Sequence, residues 1–173
     1  MRIAFMSLVM VLIGAAGCGD RDSREGEDAS SASDRGGLLH DADLAHPTPE
    51  ELGDGWAYAL GRPGPNSHGR TVNEIYENKK TGEYVKLAIL KRESVSDAVF
   101  WFEGQIAGFT SPPYSGLGEE ARVEPRGSRR RPYVVISFRR RNVVVTLHQD
   151  GTTAKAALDV ARIIDNKIKS NLH

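Results

Sequence analysis

The sequence predicts an α+β fold in which a mostly antiparallel sheet packs against two main helices. Segments of alternating apolar and polar residues, separated by short turns, indicate strands. Two longer stretches repeat apolar residues at helical spacing. The order strand–turn–strand–helix occurs twice, at 73–108 and 133–170. Duplication of a ββα unit, with both helices on one sheet face over a single core, explains this order, and so does convergence on good packing.

The folded domain is predicted to span 48–173 and to begin with a short helix. Thr48 suits the N-cap, Pro49 the first helical position, and Glu51 completes a capping box. Gly53 follows and ends the helix within about one turn.

Strand patterns follow at 56–60, 73–78 and 84–91, with a turn at 79–82 joining the last two. The third segment alternates apolar with smaller or charged residues, so one of its faces is buried. Its apolar residues are Val85, Leu87 and Ile89.

A helix is predicted after the third strand, beginning at a second capping box of Ser94 and Asp97 and continuing to Gly108. Its apolar residues recur at helical spacing. They are Val95, Val99, Phe102, Ile106 and Phe109.

The C-terminal third is predicted to contain a loop at 110–118, a short strand at 121–124 and two longer strands at 133–138 and 143–148, which a tight turn joins. A last helix then begins near Thr152 or Thr153 and continues towards Ser170. Its apolar stripe consists of Ala157, Val160, Ile164 and Ile168.

The first residues have the pattern of an export signal. Arg2 is followed by an apolar run at 3–13 and by small residues that lead to Cys18. The run is shorter than the roughly 20 residues that span a bilayer. Cys18 is the only cysteine, so no internal disulfide can form and the fold depends on its apolar core.

Ala15-Ala16-Gly17-Cys18 resembles the lipobox of bacterial lipoproteins. The resemblance implies that residues 1–17 are removed as a signal peptide and that Cys18 carries lipid chains, which would hold the protein on the extracytoplasmic side of a membrane. Gly19 stands where an inner-membrane retention signal would have Asp, which favours the outer membrane in a cell with two membranes.

Residues 18–47 are predicted to form a disordered linker after the lipidated cysteine. From 19 to 49, eight acidic residues against three arginines give a net charge of −5, whereas 19 basic residues against 15 acidic ones give +4 from 50 to 173. The linker has too little apolar surface to offset chain entropy. The charge of the domain is too small to indicate nucleic-acid binding.

The phrase Gly116-Leu117-Gly118-Glu119-Glu120-Ala121, followed by a hairpin and a C-terminal helix, resembles a layout found in exported bacterial lipoproteins. It is similar to small extracytoplasmic sensor-type and PsbP/Mog1-like domains over about 116–172. The resemblance implies an α+β domain and transfers no active-site residue.

Two features are candidate binding elements. Clustered arginines could hold phosphate or carboxylate groups of an envelope partner, a lipid headgroup or a polysaccharide; loop tips also tolerate arginine without any such role. These residues are Arg129, Arg130, Arg131, Arg139, Arg140 and Arg141. Pro112, Pro113 and Tyr114, in a predicted loop, could contact a protein partner.

No catalytic motif is found, and the five histidines do not have metal-ligand spacing, so we predict neither catalytic residues, nor a metal, nor a cofactor. The sequence favours a non-enzymatic binding or protein-interaction module held on a membrane. Two alternatives stay open: an envelope hydrolase whose active site is assembled without a motif, and a carrier of an apolar small molecule. The oligomeric state is not predicted.

Overall fold

The computed structural model describes residues 37–60 and 71–173. The elements in chain order are a 3₁₀ turn at Ala42–Ala45, α1 (Pro49–Leu52), β1 (Trp56–Leu60), β2 (Thr71–Asn78), β3 (Glu83–Lys91), α2 (Val95–Ile106), β4 (Glu120–Ser128), β5 (Arg131–Arg140), β6 (Val143–Asp150) and α3 (Lys155–Ser170). The predicted signal peptide, Cys18 and the predicted linker up to residue 36 lie outside these residues.

The six strands form one antiparallel sheet in the order β1-β2-β3-β6-β5-β4. This architecture confirms the predicted α+β class. β3 and β6 pair at the centre, with Leu87 opposite Leu147. The chain then has to pass from β3 to the far edge of the sheet, where β4 lies, and α2 is part of this connection and contacts β5 and β6.

The apolar stripe of α3 lies fully within the larger core, as the helical spacing predicted. The stripe packs on Val85, Leu87, Ile136 and Leu147, among other sheet residues. Burial of such a side chain contributes roughly 1.5–3 kcal/mol, so this interface holds most of the fold together.

The two main helices lie on opposite faces of the sheet, so the prediction of one shared face and a single core is wrong. Ile164 of α3 packs in the same cluster as Val145, whereas Phe102 of α2 packs on Val144. Successive residues of a strand point to opposite faces. The unbroken apolar run at 143–145 is therefore the sequence pattern of a strand covered on both sides.

The end of the predicted disordered linker belongs to the folded unit, so the predicted domain start at residue 48 is too late. Leu39, Ala42 and Ala45 are buried against α3 and the sheet. The Asp41 carboxylate caps the 3₁₀ turn by accepting a hydrogen bond from the Asp43 N–H at 2.9 Å. The polar composition of the whole segment concealed a short apolar pattern in its last residues.

Most predicted helix starts have the expected caps. Thr48 and Glu51 form the predicted capping box of α1. At α2, Ser94 accepts the hydrogen bond from Asp97 N–H, but the Asp97 carboxylate pairs with Arg92 in place of returning a bond to Ser94. α3 starts at Lys155, slightly later than predicted, and β4 is longer than predicted.

Candidate functional site

The two arginine triplets lie at opposite ends of β5. Arg131 begins this strand and Arg140 ends it. The strand has ten residues, so its two ends are about 30 Å apart. The structure therefore does not bring the six predicted arginines into one site, and their surroundings differ.

Arg139 is engaged with two carboxylates. Its side chain is 7% exposed, and its Nη1 and Nη2 atoms lie 2.7 Å from Glu119 Oε2 and Glu120 Oε1, respectively. Glu120 is the register partner of Arg139 across β4 and β5. This fork ties the Gly-rich loop to the sheet edge, which leaves the guanidinium little capacity for an external anion.

Arg140 points to the other face, where it pairs with Asp165 of α3 and donates to the Gly118 carbonyl at 3.0 Å. Burial opposes ionisation of Asp165, but hydrogen bonds from Arg140 and Lys169 outweigh burial and lower its pKa. Arg141 occupies the β5–β6 turn with φ +51° and is half-buried.

The remaining triplet is Arg129–Arg131, which we call the arginine tip: Arg129 and Arg130 form the turn between β4 and β5, and Arg131 begins β5. All three residues are exposed. Within the described part of the chain, none of the three forms an ion pair with a carboxylate. Gly127, with φ +85°, allows the hairpin to close here.

Arg126 supports the base of the arginine tip. Its Nη2 donates to the Gly108 carbonyl at 2.6 Å, and its guanidinium lies 4.9 Å from the centre of the Phe109 ring. Next to it, Glu124 accepts hydrogen bonds from the backbone of Thr110 and Ser111. These contacts hold the segment that follows α2 against β4, close to the arginine tip.

The Glu124 carboxylate has a pKa lowered to about 2, first because the Thr110 backbone N–H donates to it and then because of the bonds from Ser111 and the Thr110 hydroxyl. The group therefore stays charged over the ordinary pH range. Its Oε1 atom lies 3.9 Å from Arg126 Nε, so the carboxylate neutralises part of the charge of that guanidinium group.

The predicted partner loop is partly tied to the sheet. Tyr114 N–H donates to the Ala121 carbonyl at 2.9 Å, and the Tyr114 ring packs on the larger core. Pro112 and Pro113 are exposed. A role of this loop in partner contact stays a prediction.

A buried polar cluster beneath the 3₁₀ turn was not predicted. His46 Nε2 lies 2.5 Å from Glu74 Oε1, and the Tyr76 hydroxyl donates to Glu74 and lies 2.8 Å from the Pro47 carbonyl. Burial, and then the Glu74 carboxylate, raise the pKa of Tyr76. The cluster could not be predicted from sequence spacing, because 28 positions separate His46 from Glu74.

Among the described residues, α2 covers only part of its side of the sheet. α2 lies over β5 and β6, and a groove of about 420 Å³ opens beside it, lined among others by Ile75, Ala88 and His148. On α2 itself, Phe100 is 72% and Trp101 43% exposed. Helical periodicity placed both in a helix but did not show that they face outwards.

Two further observations concern the described ranges alone. None of the helices in 37–60 and 71–173 has the length and apolar composition needed to cross a bilayer. In the same ranges, no three His, Cys, Asp or Glu side chains are grouped in a way that could hold a metal ion.

Among known proteins, similarity to this chain is found with solved structures. No family model matches the chain, and no curated protein matches it. The structure is similar to the extracellular domain of PknH from Mycobacterium tuberculosis, with 15% sequence identity and a TM-score of 0.36. The match covers 56% of this chain and 63% of that one, which is less than two thirds of its length. A similarity this low does not indicate a shared function.

Proposed function

We propose that the chain is an exported bacterial lipoprotein, anchored through Cys18 to the extracytoplasmic side of the outer membrane where the cell has two membranes. It works as a non-enzymatic interaction module. Its recognition element is the arginine tip, and its ligand is an anionic envelope polysaccharide that carries phosphate or carboxylate groups. The exposure of Arg129–Arg131, without a carboxylate partner in the described residues, is the observation that carries the proposal.

The contrast with Arg139 and Arg140 supports this assignment. Those two guanidinium groups are neutralised within the fold. The three exposed arginines of the tip form no such ion pair with the described residues. They repel one another, and a ligand with several negative charges relieves that repulsion. Guanidinium groups bind phosphate and carboxylate through paired hydrogen bonds, which gives the tip both attraction and geometry.

The orientation of β5 also supports a ligand away from the membrane surface. The N-terminal segment, which leads back to Cys18, is bound at the β5–β6 turn through Asn142. The arginine tip lies at the other end of β5, about 30 Å away. This distance from the point where the N-terminal segment is bound favours a polymer over lipid headgroups as the ligand.

Binding to polyphosphate and polygalacturonate, measured by calorimetry against neutral dextran, tests the proposal. We expect the substitution of Arg129, Arg130 and Arg131 by Gln to weaken binding to a charged polymer at least about tenfold and to reduce its dependence on salt. The matched control replaces Lys79, Lys155 and Arg162 by Gln, which removes the same charge from exposed positions elsewhere. It should change the affinity less than about threefold.

Equal losses in the two variants would mean that net charge alone attracts the polymer, which contradicts a site at the tip. Failure of the unaltered chain to bind either polymer would also contradict it. The anchor is tested separately by mass spectrometry of the mature N-terminal peptide, which should show a lipidated Cys18.

A further inference from the structure

Helix α2 exposes two aromatic side chains on the side away from the sheet, next to the polar residues Ser96, Glu103 and Gln105. Ala98 and Phe102 face the sheet, whereas Phe100 and Trp101 are exposed, and the exposed Gly104 lies one turn further on. α3 is different, because its exposed positions are polar: Lys155, Asp159, Arg162, Asn166 and Lys169. Two neighbouring aromatic side chains that a helix leaves exposed are typical of a contact surface.

Gly104 has no role in packing that would explain a glycine inside this helix. A Cβ atom added there would meet nothing within 4 Å. Glycine in a helix interior costs roughly 0.5–1 kcal/mol relative to alanine. Because glycine has no side chain, Gly104 leaves the Phe100 ring, which lies one helical turn before it, uncovered. Phe100 and Trp101 both line a shallow groove of about 530 Å³.

The linker to the predicted anchor is connected to this surface through a chain of contacts, although Leu39 and α2 lie on opposite faces of the sheet. The Asn142 side chain is hydrogen-bonded to the backbone of Leu39 and donates to the Arg92 carbonyl at 2.9 Å. The Arg92 guanidinium in turn lies 4.8 Å from the centre of the Trp101 ring. Four residues thus connect the point where the linker joins the fold with the exposed aromatic pair.

We infer that the Phe100–Trp101 side of α2 inserts into the headgroup region of the bilayer to which the chain is anchored, an inference that rests on the proposed lipidation of Cys18. Tryptophan and phenylalanine partition favourably into this region. Arg92, which lies against the Trp101 ring, is paired with Asp97, so it holds the ring in place and does not bind lipid phosphate.

Two aromatic side chains bind a bilayer too weakly to recruit a free protein, but a tether changes this. Cys18 precedes Gly37 by 19 positions, and 19 residues of chain reach at most about 65 Å. A lipid on Cys18 would therefore keep the bilayer near the domain, at a high effective concentration. Docking on α2 would fix the orientation of the domain and the direction of the arginine tip.

The test uses the mature chain from bacterial membranes, reconstituted into phosphatidylcholine vesicles with brominated acyl chains. In the Trp56→Phe variant, Trp101 is the only tryptophan, because the chain has two. We expect brominated lipid to reduce Trp101 emission about twofold, and Phe100→Ser to abolish most of this quenching. Leu44→Ser is the matched control, because Leu44 is 41% exposed, similar to Trp101, and belongs to the 3₁₀ turn on the α3 side.

If Trp56→Phe does not fold, the difference in quenching between the unaltered chain and Trp101→Phe gives the same result. The inference is overturned if brominated lipid leaves the Trp101 emission unchanged. If that unquenched emission is also blue-shifted, the Trp101 ring is covered by a protein or by a second copy of the chain. The mass of residue 18 shows separately whether the proposed anchor exists. If Cys18 carries a free thiol, the chain is coupled through it to maleimide-bearing lipid, so that docking is measured in either case.

Discussion

Leu39 and Asn142 lie 103 positions apart and are joined by two hydrogen bonds. Leu39 N–H donates to Asn142 Oδ1 at 2.8 Å, and Asn142 Nδ2 donates to the Leu39 carbonyl at 2.9 Å. The same amide nitrogen donates to the Arg92 carbonyl, and Arg92 N–H donates to the Asn142 backbone carbonyl at 2.7 Å. One buried side chain therefore holds the N-terminal segment, the end of β3 and the β5–β6 turn together.

Replacement of Asn142 by Ala should lower the free energy of unfolding by about 2–4 kcal/mol, because three buried backbone groups lose their partner. Urea unfolding measures this loss. Asn166→Ala, at an exposed position of α3, should change stability by less than about 0.5 kcal/mol. Equal effects of the two substitutions would contradict the central role of Asn142.

Glu74→Leu should lower the free energy of unfolding by about 3–5 kcal/mol, because His46 loses the carboxylate it meets in a buried environment. Adding His46→Phe should recover part of that loss, since an apolar pair needs no such partner. The surface substitution Asp159→Asn, which removes the partner of Lys155 and Arg162, should cost less than about 1 kcal/mol. A double mutant no more stable than Glu74→Leu would argue against a pairwise interaction.

The Glu124 carboxylate should make stability dependent on pH in the acid range. Its folded pKa of about 2 is below the unfolded value near 4.3, so its stabilising contribution is complete above that value and is lost as the pH falls towards 2. In denaturant titrations, the stability difference between the unaltered chain and Glu124→Gln should therefore be greatest near neutrality and shrink below about pH 4. A difference that is constant down to pH 2 would contradict the lowered pKa.

Two glycines should respond in opposite directions to alanine. Gly104→Ala should stabilise the chain by about 0.5–1 kcal/mol, because the methyl group meets open space in a helix interior. Gly118→Ala should destabilise it by more than about 1 kcal/mol, because Gly118 has φ +62° and the methyl group would lie 2.5 Å from the Arg139 carbonyl oxygen. Melting temperatures of the two variants on either side of that of the unaltered chain would confirm the contrast; a shift of both in one direction would contradict it.

Local signals in the sequence were sufficient for most of the secondary structure. The capping box of Thr48 and Glu51 marked α1 correctly because its bonds connect residues three positions apart. The alternation in β3 and the stripe of α3 correctly identified the residues that form the larger core. Composition averaged over the linker was less informative, since it concealed the buried Leu39 and Ala45.

The candidate sites depended on partners distant in the chain. The sequence made both arginine triplets equally good candidates for anion binding. In the structure, carboxylates neutralise members of the triplet at 139–141 only; they belong to Glu119, Glu120 and Asp165. No spacing rule relates Arg140 to a carboxylate 25 positions away on α3. Only the contacts of the folded chain distinguish a structural arginine from an available one.

By itself, the sequence determined most of the elements, the α+β class and most apolar residues of the core, because hydrophobic periodicity and capping act over a few neighbouring residues. Tertiary structure alone decided that α2 and α3 cover opposite faces, that Phe100 and Trp101 point outwards, and that the arginine tip is unpaired among the described carboxylates. Periodicity shows that a helix has an apolar side. Which surface that side meets depends on the path of the chain between the strands.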